Sequence, residues 1–155
     1  MIIGKAKLLR NRLTTLSQEI QNAAVSGFDF ADRIRELYNI YEKNLIVKSI
    51  IEELPEETID LDVDRFEREN VFNTGNPYGL RWNVIVRISE TGNAQPFWHF
   101  IGEQKRVNGY LKIHSIFIEP IINYIIHKIE INSSILYLLL RHKLLVEWFQ
   151  GEDLF

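Results

Sequence analysis

The chain has 155 residues, 46% of them apolar, no cysteine and a formal net charge of −3. That length suits one domain, 1–155, large enough to bury a core of its own, and the lack of cysteine excludes a disulfide frame and any thiolate metal site. Lys5, Lys7, Arg10 and Arg12 break up any apolar leader, and no uncharged run reaches the ~18–20 residues of a spanning helix, so a cytoplasmic protein without membrane contact is expected.

In chain order, Leu9, Leu13, Leu16, Ile20 and Ala23 recur at alternating spacings of four and three, which predicts an amphipathic helix over about 3–25. Ser26-Gly27 ends it, and Asp29 with Asp32 marks the start of a second helix running to about Leu54, stopped by Pro55. So short a break folds the two into an antiparallel αα-hairpin. Residues 55–79 read as an acidic loop, with Ile59, Leu61 and Val63 alternating as a short strand. Leu80, Trp82, Val84, Val86 and Ile88 alternate with polar residues, Ile85 excepted. After the turn signal Glu90 to Ala94, Phe97 to Ile101 returns, so a β-hairpin is expected over about 80–101, with a third strand at Tyr110–Ile113.

From His114 the period is helical again. Phe117, Ile121, Tyr124, Ile125 and Ile129 form a stripe, Pro120 places the start of the regular helix near Glu119, and a last helix follows over about 134–149. The class expected is therefore α+β: an N-terminal αα-hairpin, a small antiparallel sheet, and two apolar C-terminal helices at the centre of the core.

Candidate chemistry is sparse. The four histidines, at 99, 114, 127 and 142, include no pair at helical ligand spacing, so no metal site and no cofactor are expected. Glu103-Gln104-Lys105 behind a strand has the form of a metal-dependent nuclease motif, with Asp62 or Asp64 as the second carboxylate. Basic residues crowd the first helix while acids crowd 52–69. These two runs are expected to pair within the chain, and nucleic-acid binding is not expected.

Between 111 and 149, 23 of 39 residues are aliphatic or aromatic, more than the remaining elements can cover. That imbalance points to a protein partner, a downstream domain or a second copy, met through helix faces, with Leu145, Trp148 and Phe149 as anchors. The function expected is that of an interaction or regulatory module of a larger microbial protein. The alternatives are the Glu103/Lys105 nuclease and a small immunity-type inhibitor.

Overall fold

The computed structural model describes residues 2–58 and 78–132. All regular structure among the described residues is helical, which corrects the α+β expectation. In order the elements are α1 (Ile2–Ser26), α2 (Phe30–Lys43), α3 (Leu45–Glu52), α4 (Tyr78–Thr91), α5 (Gln95–Phe100) and α6 (Arg106–Ile113). The last continues through a π-turn (His114–Ile118) into helix over 119–132.

The seam read in α1 is real: Ala6, Leu13, Leu16, Ile20, Ala23 and Ala24 are buried on one side. The helix closes where Gly27 adopts φ 77° and donates its N–H to the Ala23 carbonyl at 2.8 Å, a left-handed cap that glycine takes without strain. α2 then runs back along α1. Arg33 meets Glu19 at 3.4 Å and Arg12 meets Glu36 at 3.1 Å, an inverted order that makes the hairpin antiparallel. These exposed pairs contribute about 0–1 kcal/mol each, so apolar burial holds the hairpin together.

The second helix does not reach Leu54 unbroken. At Asn44 the backbone turns extended (φ −108°, ψ 114°), and its side-chain oxygen accepts the N–H groups of Ile46 and Val47, capping a separate α3.

The β-hairpin over 80–101 is replaced by α4 and α5, and the third strand at 110–113 by part of α6. In α4 the buried residues include Val84, Ile85, Ile88 and Ser89, two pairs four apart on one helical face. Ile85, the residue that interrupts the alternation, is fully buried. Pro96 sits in the first turn of α5, where a missing N–H costs nothing. Glu90 to Ala94 does turn the chain, but between helices.

The long helix from α6 to residue 132 forms the centre of the core. Ile113, Phe117, Ile118, Ile121, Ile122 and Ile125 are fully buried, and Ile129 nearly so. Pro120 lies inside this helix instead of opening it, behind a π-turn in which Glu119 donates its N–H to the His114 carbonyl. α1 packs on α2, α6 and the π-turn, and α4 packs on α2 and the π-turn.

The described half of the apolar stretch is thus covered by its own chain. Ile131, 38% exposed, is the large apolar side chain left open there. The strand expected at 59–63, Asp62, Asp64, and the last helix with Leu145, Trp148 and Phe149 lie outside the described residues. No described helix is long and apolar enough to cross a membrane.

Candidate functional site

Glu103 and Lys105 do not follow a strand. They lie in the connection between α5 and α6, where the Glu103 N–H bonds the Trp98 carbonyl at 2.9 Å. The Glu103 carboxylate is bonded to the Lys112 ammonium, in the last turn of α6. The carboxylate is therefore engaged by a cation of its own chain, and the strand on which the nuclease spacing rests is absent from the described residues. No group of three or more metal-ligating side chains converges among the described residues. Most of the acidic run expected to pair with the basic N-terminal residues, 59–69, lies outside the described residues. Arg10 pairs with Glu130 at 3.2 Å, and Arg12 with Glu36 and Glu19, while Lys5 and Lys7 are exposed.

His114 is the buried histidine among the described residues, 4% exposed, at the first position of the π-turn. Its Nε2 shares a hydrogen bond with the Ser17 hydroxyl at 3.1 Å, and its Nδ1 lies 3.9 Å from a Glu119 carboxylate oxygen. The order Ser–His–Glu has the outline of a nucleophile, a base and an orienting acid. Two features argue against that chemistry: 3.9 Å is too long for an orienting hydrogen bond, and Ser17 sits mid-helix, where the neighbouring N–H groups are consumed and leave no oxyanion donors. The contact instead ties α1 to the central helix. Burial pushes the His114 pKa below its ordinary value, with Glu119 and Ser17 opposing the shift.

A groove of about 340 Å³ opens where the end of α3 and the following turn meet α4. Its walls are Tyr41, Ile51, Leu54, Trp82 and Val86, and the exposed carboxylates of Glu52, Glu56 and Glu57 stand along it. The Tyr41 and Trp82 rings meet at 4.9 Å and 61°, with Tyr38 behind at 6.2 Å from Trp82. Tyr38 is held above the ordinary tyrosine pKa by burial and by its hydrogen bond to Glu42, so it stays a neutral phenol beside the acids. The groove depends on Gly79: a Cβ there would collide with the Pro55 carbonyl oxygen, so the turn can lie on α4 because no side chain intervenes.

At another surface the turn between α1 and α2 presents Phe28 to solvent, 76% exposed, with Val25 beside it at 61%. Two of the three residues Gly27 to Asp29 have positive φ, and for Asp29 (φ 61°) this is a strained conformation for a residue with a side chain. The Arg106 guanidinium covers Gly27, which brings Val107, 38% exposed, to the same end of the molecule. Beneath this end the Phe30 and Tyr110 rings stack at 4.2 Å, fixing the start of α2 to α6.

Sequence reasoning places Trp82 on a strand and passes over Phe28. The available signal for Phe28 is a large apolar residue set between a helix-ending glycine and the aspartate before the second helix. No family model, curated protein or solved structure matches the chain.

Proposed function

We propose that the chain is a protein-interaction module that meets a partner protein through helix ends and faces. The observation that carries this reading is Phe28, a large aromatic side chain 76% exposed on a turn whose backbone is strained at the next residue. An aromatic ring held in water on a turn gains, on docking, the burial of the apolar area it still exposes, on the order of 25 cal/mol per Å². Val25 and Val107 extend the apolar surface around it. The Glu103/Lys105 nuclease gains no support from a carboxylate bonded to Lys112.

The test is a photo-reactive phenylalanine analogue at position 28 in the living source cell, with one at exposed Gln18 as the control. The expected result is a discrete protein adduct from position 28, none from position 18, and loss of the adduct on adding Val25→Asp. Adducts from both positions alike, or from neither, would overturn the reading.

A further inference from the structure

We infer that the groove between α3 and α4 is the seat of an arginine side chain on a basic segment of a partner protein. The inference rests on the interaction reading in one respect, that the cation comes from a protein, and it concerns a surface separate from Phe28. The first support is the aromatic wall: Trp82 and Tyr41 meet edge to face, 4.9 Å apart and tilted by 61°, Tyr38 stacks on Trp82 at 6.2 Å, and both Trp82 and Tyr41 line one groove. Aromatic faces attract cations, Trp most strongly, and a guanidinium stacks on them while remaining weakly hydrated.

The second support is that other aromatic rings of the described residues carry a cation and these two do not. Arg81 lies over Tyr78 at 5.5 Å, Arg87 over Phe97 at 5.2 Å and Lys128 over Tyr124 at 5.7 Å, whereas no cation among the described residues lies over Trp82 or Tyr41. The third is charge. Among the described residues, Glu52, Glu56 and Glu57 stand along the groove without an ion-pair partner, and no described Lys or Arg lines it. A forked guanidinium can lay its plane on Trp82 and turn its N–H groups to these carboxylates, which a single ammonium point charge does less well. The groove volume, about 340 Å³, exceeds one guanidinium and leaves room for the aliphatic stem and the backbone beside it.

The probe is the blocked tripeptide acetyl-Gly-Arg-Gly-amide, titrated into the full chain and followed at the Trp82 indole N–H by NMR. Its neutral counterpart carries citrulline in place of arginine. A saturable shift at Trp82 and not at Trp98, at least about threefold weaker for citrulline, is expected. Glu56→Gln with Glu57→Gln, both exposed and harmless to packing, should weaken arginine binding about threefold or more, and Trp82→Leu, followed by calorimetry because the reporting indole is gone, should abolish it. Equal binding of citrulline, equal binding of choline, or no saturable shift would overturn the proposal. Binding that emerges only after Arg65→Gln and Arg68→Gln would also overturn it, by giving the groove to the chain's own arginines. Phe28→Ser should leave the titration unchanged, so failure here and failure of the cross-link at position 28 are separate results.

Discussion

Arg81 donates its Nε–H to the carbonyl oxygen of Ile116 across 2.8 Å. In a regular helix that oxygen would be served by the N–H four residues on, but residue 120 is proline and has none. A side chain from α4 thus completes the hydrogen bonding of the central helix at its one chemically enforced gap. The guanidinium is partly buried to do so, and burial lowers its pKa from the ordinary arginine value. Arg81→Met is expected to destabilise the fold by about 1–3 kcal/mol, the cost of an unserved buried acceptor. In a Pro120→Ala background the loss should shrink, because the alanine brings its own N–H. Urea denaturation of the four proteins checks this, and an equal Arg81→Met cost in both backgrounds would refute the coupling.

Gly109 should resist the most conservative replacement available. A Cβ at this position in α6 would lie 2.5–2.7 Å from Trp98 ring and Cβ atoms, and Trp98 is itself packed between Tyr110 and the core. Alanine is the better helix former by up to about 1 kcal/mol, yet overpacking a rigid ring costs about 1–3 kcal/mol. Gly109→Ala is therefore expected to lower the melting temperature, and a rise would show that Trp98 yields.

Stability should fall as pH falls from 7 toward 5, and His114 should cause part of the fall. Its folded pKa lies below the ordinary 6.5 because burial disfavours the imidazolium. The unfolded chain then binds the proton first, so the contribution is present above pH 6.5 and is lost as pH drops toward the folded pKa. His114→Gln should flatten the dependence across this window, measured as denaturation midpoints at about pH 7 and pH 5. An unchanged slope would place the titrating group elsewhere.

Asn44→Ala removes the oxygen that holds the N–H groups of Ile46 and Val47. A loss of about 1 kcal/mol is expected. The same site explains why the sequence reads as one long helix where two exist. The apolar positions of α2 and α3 continue in nearly one period, and a single capping asparagine interrupts them without a glycine or proline to mark the place.

Legibility elsewhere follows the physics of pattern. α1 can be read because Leu13, Leu16 and Ile20 obey the helical period while charged residues fill the other faces. α4 cannot, because Leu80, Trp82, Val84, Val86 and Ile88 also satisfy a period of two, and Val and Ile are as common in strands as in a buried helix. Ile85 and Ser89, buried with Val84 and Ile88, settle the matter only once α2 and the central helix are known to lie against them. The groove is invisible in the sequence for a related reason: Tyr41 and Trp82 stand far apart in the chain, and a strand at 80–89 would put Trp82 on a sheet face. Glu103 stands out as an acid after an aromatic segment, but its partner, Lys112, can be found only once α6 is recognised as a helix.

The π-turn at His114–Ile118 carries a consequence for chain length. Ile113, Phe117, Ile121, Ile125 and Ile129 are spaced by four, and in an unbroken α-helix each such step drifts by about 40° around the axis. Five residues in one wide turn absorb that drift and keep the stripe on the core. The helix therefore holds one residue more than its α-helical span requires. Deleting exposed Ser115 is expected to convert the turn to regular helix with the isoleucines still inward. The same deletion at 121–129 would swing the residues after it by about 100°. Among the described residues this helix has one built-in place at which natural or engineered length variation can be accommodated.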